Sequence, residues 1–486
     1  MRRSSYLPML VAASVLAGCA LQPPPKPDEI RAQALPHVQV PPAWTAPGSA
    51  PGVVRDNWLA SFGDVQLDAL IREALAYNLD LRVAAARVEQ AAAYAKLAGA
   101  GIYPAVNVLG HGGLGKSGGD GSGVNLIGLF ANWELDIWGR ARSEREAGVQ
   151  QYQSVVADTE YARQSIAAMV AKSWLLAIES RLQLAIARDI VRFSEQALGL
   201  ARDRLRVGIG DEYDVELALT NLETLRDAAR QLELANQQAL RALETIVGRY
   251  PAAAVEVPLA LPAVPGPVPV GLPSELLERR PDVIAAERRV AAAFNKVGEA
   301  KAARLPKFAL TAGVNAMSSD LFILQSHANP MASLGANLVA PIFNGYALEA
   351  QVDIRTAEQS LAIADYGRVG AKTFGEVEAA LSAGFAADER ATILARAETS
   401  ASRTLDLAQQ RYKVGSGDLR AVLQQNVALY GTRTSLLRMQ SERLVQRVNL
   451  HLALGGSFEP LPAAAQSSGD DAVLAGAAGA KRTLER

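Results

Sequence analysis

The chain has a single cysteine, Cys19, among its 486 residues, which rules out an internal disulfide framework and a cysteine-based metal site. Its four histidines, His37, His111, His327 and His451, stand far apart without ligand spacing, so neither a metal site nor a cofactor is expected. Charge of one sign is missing as well. With 49 basic and 50 acidic residues the formal net charge is −1, and no field of one sign recruits nucleic acid. The most informative absence is proline: none of the 24 falls between Pro104 and Pro251 or between Pro341 and Pro460. Proline removes a helix hydrogen bond and clashes with the preceding turn, so spans cleared of it are built to be helix. As continuous helices, Gly139 to Val207 and Gly345 to Val414 would each run about 100 Å, far beyond the width of a compact domain.

What the chain does contain, it contains twice. Val207-Gly208-Ile209-Gly210-Asp211 returns 207 residues later as Val414-Gly415-Ser416-Gly417-Asp418. The same offset superimposes Arg204 on Arg411, Val215 on Val422, Leu222 on Leu429 and Gly248 on Gly455, while Pro104 meets Pro306 and Asn78-Leu79-Asp80-Leu81 meets Arg280-Pro281-Asp282-Val283 at an offset of 202. Each glycine turn interrupts a proline-free span, with Gly ending one helix and Asp capping the next, so each reads as the tip of a helical hairpin. Leu222, Leu225, Ala229, Leu232, Asn236, Ala239, Leu243 and Ile246 keep a 3-4-3-4 spacing, the seam of a coiled coil, with Asn236 placed to fix its register.

Each repeat also predicts a pair of strands, at about 104–136 and about 306–343. In the second, Phe308, Leu310, Ala312 and Val314 alternate with Ala309, Thr311, Gly313 and Asn315, and Leu334, Ala336, Leu338 and Ala340 alternate with Ser333, Gly335, Asn337 and Val339. Strands of about ten residues, apolar on one face and small or polar on the other, fit a transmembrane barrel. Trp133, Trp138 and Phe343 suit a bilayer interface or ordinary packing equally. At the N-terminus, Met1-Arg2-Arg3 and the apolar run from Leu7 to Ala17 form a secretory leader that closes on Leu16-Ala17-Gly18-Cys19. The expected layout is a signal peptide at 1–18, a proline-rich extended tether at 19–56, the repeats at 57–250 and 272–458, a connector at 251–271 and a disordered tail at 459–486.

The lipobox-like Leu16 to Cys19, the Trp58 to Asp64 segment, Leu135-Asp136-Ile137-Trp138-Gly139-Arg140, Leu272-Pro273-Ser274-Glu275-Leu276-Leu277-Glu278-Arg279-Arg280-Pro281-Asp282-Val283, Pro341-Ile342-Phe343-Asn344-Gly345 and the two Arg-x-x-x-Gly tips together resemble the TolC family. Within it they resemble the OprM/NodT-type outer-membrane lipoproteins of resistance-nodulation-division drug efflux pumps, from about residue 16 to 458. The fold the resemblance implies is mainly α with a transmembrane β-barrel: a homotrimer whose long hairpins form an α-barrel across the periplasm and whose strand hairpins share one barrel in outer-membrane lipid. It further implies acylation of Cys19. The tips, Arg204, Val207, Gly208, Arg411, Val414 and Gly415, would meet a periplasmic adaptor protein, and an inner-membrane pump would supply the drive. Asp211, Asp214, Asp418 and Gln424 would form a periplasmic gate. Where relatives often carry aspartate in the second repeat, this chain has Ala421 and Gln424, so closure would rest on packing and on hydrogen bonds to groups such as Gln424, or on cations that relieve the repulsion.

The implied function is a passive exit duct for drugs or other small molecules, with no catalytic residues. The alternatives are an exit duct for a type I protein secretion system, or a periplasmic coiled-coil scaffold lipoprotein, which would have no use for lipid-facing strands. Two catalytic patterns are decoys. Gly110 to Ser117 satisfies GxxxxGK[ST] and Gly115 to Gly119 satisfies GxSxG, but both chemistries need a helix to follow, and more glycines and a strand-like run follow instead.

Overall fold

The computed structural model describes residues 25–111, 125–318 and 331–459. The leader with Cys19, most of the glycine-rich decoy segment and the tail beyond Glu459 lie outside the described residues. In chain order the elements are α1 (Pro27–Ala34), α2 (Val65–Tyr77), α3 (Leu79–Ala98), β1 (Ala105–His111), β2 (Asn125–Leu135), α4 (Arg140–Arg206), α5 (Glu212–Val247), α6 (Leu276–Arg279), α7 (Pro281–Ala302), β3 (Lys307–Ser318), β4 (Met331–Val339), α8 (Ala347–Lys413) and α9 (Leu419–Ala453). The duplication appears in the lengths: α4 and α8 both have 67 residues, and their return helices have 36 and 35. Contacts divide the chain into two compact units that cut across the repeats. One holds Ala85–Thr159, Pro281–Ala371 and the N-terminal segment through Val38; the other holds Gln39–Ala84, Glu160–Arg280 and the chain from Lys372.

In the first unit the four strands form one antiparallel sheet in the order β1-β2-β3-β4. Residues directly opposite each other share a face, so the register assigns every side chain. Val106 and Val108 lie beside Leu129 and Ala131, those beside Ala312 and Val314, and those beside Leu334 and Ala332. This face is apolar and open: Val108 is 71% exposed and Leu334 87%. The other face carries Asn107, Asn132, Glu134, Thr311, Asn315, Ser333 and Asn337 with Gly128, Gly313 and Gly335. There the Phe130 ring spreads over the glycines: a Cβ at Gly128 would come within 2.9 Å of it, and one at Gly313 within 3.1 Å. Water-soluble sheets bury the apolar face, whereas this sheet buries neither. Trp133 donates its indole N–H to the Ile102 carbonyl at 2.9 Å and Trp138 to that of Pro306 at 2.7 Å, while Phe343 stays exposed.

In the second unit the core gathers Trp58, Phe62, Leu67, Ile71 and Ala74 around Trp174, Leu175 and Ile178 of α4 and Leu240, Leu243 and Val247 of α5. Asp64 joins these pieces. One carboxylate oxygen caps α2 by accepting from the Gln66 and Leu67 amides at 3.0 Å, and the other accepts from the Trp174 indole at 2.7 Å. The expected seam is present: Leu222, Leu225, Ala239 and Leu243 are buried, and Asn236 accepts from the Ser180 hydroxyl at 3.0 Å. A matching latch closes each repeat. Asn78, ahead of α3, donates to the Ile246 carbonyl at 2.7 Å, and Arg280, ahead of α7, donates to the Ala453 carbonyl at 3.1 Å, the position 207 residues on. Arg280 is fully buried, pairs with Glu376 at 2.6 Å and lies over the Tyr161 ring at 5.6 Å. Its burial accounts for the arginine of the Arg-Arg-Pro-Asp run.

The extended tether needs correction over its described part. Residues 27–34 form a helix with Pro27 at its first position, where the missing N–H costs nothing. Ile30 is buried, and the Ala34 carbonyl presses so closely on Gly367 that a Cβ there would come within 2.5 Å of it. Further along, the Trp44 indole donates to the Val270 carbonyl at 3.2 Å. Glu378 accepts from the Thr45 amide and hydroxyl at 2.9 Å and from the Ala46 amide at 2.7 Å. Proline enrichment signalled a chain without regular ladders, but not the buried anchors between the prolines.

His451 stacks on Trp58 with ring centroids 5.6 Å apart and planes 14° apart. Burial, with Arg447 adding to it, pushes its pKa from 6.5 down to about 4. A base with a depressed folded pKa contributes stability that is fully present above its unfolded value and is lost as the pH falls through the folded one. His451→Phe, which keeps an aromatic against Trp58, should therefore remove about 3 kcal/mol of acid sensitivity. Thermal midpoints of the purified variant and parent between pH 6.5 and 4 check this.

Candidate functional site: the paired helical tips

Each long helix ends in the same motif. At the first tip the Gly208 amide donates to the Leu205 carbonyl and the Ile209 amide to that of Arg204, both at 3.0 Å. At the second, the Gly415 amide donates to Tyr412 at 3.1 Å and the Ser416 amide to Arg411 at 2.9 Å. This Schellman closure needs a left-handed residue, and both glycines have φ of +78°. Nothing lies within 4 Å of where a Cβ would project from either. Asp211 then caps α5 through the Asp214 amide at 2.8 Å, and Asp418 caps α9 through the Ala421 amide at 2.7 Å. Every one of these bonds has its counterpart 207 residues away.

The side chains break that symmetry, and in doing so join the tips. Arg204 of the first repeat lies over the ring of Tyr412 in the second, 4.8 Å from its centroid. Arg420 of the second lies over Tyr213 of the first at 5.5 Å, with its guanidinium hydrogen-bonded to the phenol. Tyr213 and Arg420 occupy equivalent positions, as do Leu205 and Tyr412. Tyr412 is buried in the tip core with Leu198, Ala201, Ala218, Leu222, Leu419 and Leu423. Asp214 sits between the tips. Burial, then the charges of Asp211 and Asp418, raise its pKa above the usual 3.8, against the opposing pull of Arg204 and Arg420.

Thus the structure brings together Arg204, Asp211, Asp214 and Asp418, and leaves Val207, Gly208, Arg411, Val414 and Gly415 on the exposed surface of the tips. Asp211 and Asp418 are both occupied as helix caps. Gln424 is exposed and, among the described residues, makes no side-chain hydrogen bond, so the expected bonds to it are not formed within one chain. Tyr213, Tyr412 and Arg420 join the tips from positions where the two copies differ, so the identities that mark the repeat do not mark them. Among the described residues no group of His, Cys, Asp or Glu is arranged to hold a metal ion. Only Gly110 and His111 of the phosphate-loop pattern are described, as the end of β1, and the rest of it lies outside the described residues.

Long helices paired in two tip-bearing hairpins, with an antiparallel sheet whose apolar face is open, define an outer-membrane channel fold. The chain matches the outer membrane efflux protein family over residues 70–249 and 272–456, one match per repeat. It is 32% identical over 470 residues to the cation efflux system protein CusC of Escherichia coli O6:H1, covering 93% of this chain and 98% of that one. It is 31% identical over 420 residues to the pyoverdine export outer membrane protein OpmQ of Pseudomonas aeruginosa, covering 83% and 88%. Among solved structures, the outer-membrane channel OprN superimposes with a TM-score of 0.80 at 25% identity, covering 87% of this chain and 99% of that one. CusC superimposes with a TM-score of 0.76 at 28% identity, covering 85% and 100%. This chain belongs to the outer membrane efflux protein family. It is an efflux channel component of the outer membrane and not an enzyme.

Proposed function

We propose that three copies assemble into one passive duct, each giving four strands to a shared β-barrel in the outer membrane and its long hairpins to a periplasmic α-barrel. The observation that carries this reading is the sheet with one polar and one apolar face and, among the described residues, no strand beside either outer edge. An open edge in hydrocarbon leaves backbone groups unpaired at several kcal/mol each, so four strands must be completed by others. In this reading the apolar face meets lipid and the glycine-rich face lines the lumen. The cargo is drugs or other small solutes, in keeping with relatives described for cation efflux and pyoverdine export. An inner-membrane resistance-nodulation-division pump and a periplasmic adaptor complete the system. Cys19 carries the lipid that holds the N-terminus to the membrane, the repeats span 57–250 and 272–458, and mass spectrometry of the mature N-terminus should find an acylated Cys19; an unmodified terminus elsewhere removes the anchor.

The adaptor docks on the exposed backbone of the tips, around Arg204, Val207, Gly208, Arg411, Val414 and Gly415. Gly208→Trp and Gly415→Trp add bulk where no neighbour stands, at a local cost of about 1–2 kcal/mol for a side chain in the left-handed conformation, so efflux measured by drug susceptibility should be lost while assembled protein remains in the membrane. Loss of assembly instead would make both positions purely structural.

Closure of the periplasmic mouth is assigned to the tip bridges Arg204–Tyr412 and Arg420–Tyr213 around Asp211, Asp214 and Asp418, with Gln424 available to a neighbouring copy. Because its pKa is raised, Asp214 takes up a proton at a higher pH than an ordinary aspartate, in a window that opens upward from 3.8. Acidifying planar bilayers through that window should change single-channel conductance and cation preference, and Asp214→Asn should show the acid behaviour at neutral pH and lose the step. Unchanged conductance in Asp214→Asn at every pH would place the constriction elsewhere.

A further inference from the structure

On the glycine-rich face of the sheet Gly128 and Gly313 are buried, while Asn107, Asn132, Ser333 and Asn337 on the same face stand exposed. The Phe130 ring is what covers them. Gly128 lies two residues before it on β2, and Gly313 lies directly opposite it on β3. A Cβ at Gly128 would meet Cε2 of the ring at 2.9 Å, and one at Gly313 would meet Cδ1 at 3.1 Å and Cε1 at 3.4 Å. Cε2 belongs to one edge of the ring and Cδ1 and Cε1 to the other, so both edges rest on backbone and the ring lies flat across the two strands. One ring face is pressed on the glycines. The other is turned away from the sheet, and Phe130 is accordingly only half-buried. The repeat shows that this is an addition of the first copy. Ala105 opposes Asn132 and Lys307 opposes Val339, so β2 maps onto β4 with 207 added; Gly128 then falls on Gly335, whereas Phe130 falls on Asn337. Among the described residues this face carries no second Phe, Tyr or Trp.

We propose that Phe130 is a selectivity residue of the duct, a platform whose free ring face holds planar aromatic cations as they pass the strands. This rests on the shared-barrel reading above, which turns the glycine-rich face to the lumen, and adds to it the class of solute that the lumen retains. The free face of a phenyl ring carries the negative side of its quadrupole, so it attracts a cation and stacks on a flat ring. The residues around it leave that attraction unopposed. Asn107 and Gly313 stand opposite Phe130 on the two neighbouring strands, and Gly128 and Asn132 flank it on its own. None of the four carries a charge that would repel the cation or compete with the ring for it. Leu109, on the same face opposite Gly128 and 50% exposed, extends the apolar surface beside the ring. The rest of the wall, built of Asn, Ser, Thr and Gly, bonds water and offers a solute little else to hold. The glycines are part of the device: without a Cβ beneath it the ring lies down and shows its face, where a larger residue would tip it onto its edge.

Block of the open channel tests this. The purified full-length protein is placed in planar bilayers in potassium chloride, and ethidium, a planar aromatic cation, is added on both sides. The ethidium concentration that halves the single-channel current should rise about fivefold in Phe130→Leu and in Phe130→Asn, the second of which places here the residue that the other repeat carries. Phe130→Tyr keeps the ring and should stay within about twofold of the parent. Current without ethidium should be alike in all four. Either variant without the ring suffices should the other fail to reach the membrane. Equal block in the parent and in the variants without the ring overturns the platform while the duct stands, as does a parent current that ethidium leaves unchanged. A loss in Phe130→Tyr as large as in Phe130→Leu overturns it too, since the ring would not be what ethidium meets. A parent that forms no conducting pore at all overturns the duct reading, and the platform with it.

Discussion

A backbone amide in hydrocarbon has no water to bond, and this one constraint orders the molecule. In the sheet every inner edge is paired, β1 to β2, β2 to β3 and β3 to β4. Among the described residues no strand lies beside the outer edges of β1 and β4. A soluble protein would blunt such edges with charge, proline or a covering helix. Here the strands carry Val106, Val108, Leu334 and Leu338, all more than half exposed. The edge and the apolar face ask for different partners, another chain and a lipid, and a barrel shared between copies supplies both.

Duplication gives that solution its economy. The same hairpin made twice yields tips closed by the same hydrogen bonds, with Asp211 and Asp418 in the same capping role. The latches ahead of α3 and α7 reach the same carbonyl position, though one uses an amide and the other a buried guanidinium. Divergence between the copies then does the joining. A tyrosine in one copy faces an arginine in the other, twice, so the tips are held to each other by contacts that identical repeats could not make. At an exposed site such as Arg420 over Tyr213 a cation–π pair contributes about 0.5–1 kcal/mol, while Tyr412 under Arg204 is also packed into the tip core.

Much of this was legible in the sequence, for physical reasons. Proline exclusion marked the helices because a single interior proline costs about 3 kcal/mol. Gly208 and Gly415 marked the tips because the left-handed cap tolerates little else. Alternation marked the second strand pair, where Phe308 to Asn315 reads cleanly, better than the first, where Leu109 interrupts the polar face and Phe130 lies over the glycines. Lost to the sequence were contacts between distant segments: Arg204 with Tyr412, Arg280 with Glu376, and Trp44 and Glu378 holding a stretch that composition alone marked as a tether. Of the candidate site, the turn glycines and capping aspartates were visible because their roles are local. The aromatic partners were not, since nothing in one repeat announces what the other will place against it.

The central claim is that one chain is a fraction of a channel, and the particle mass in detergent tests it most directly. Native mass spectrometry of the protein extracted from outer membranes should give three chains per particle, stable on dilution because each open edge is covered by the next copy. A folded particle containing one chain would mean that the edges of β1 and β4 are satisfied some other way, and would contradict the account at its root.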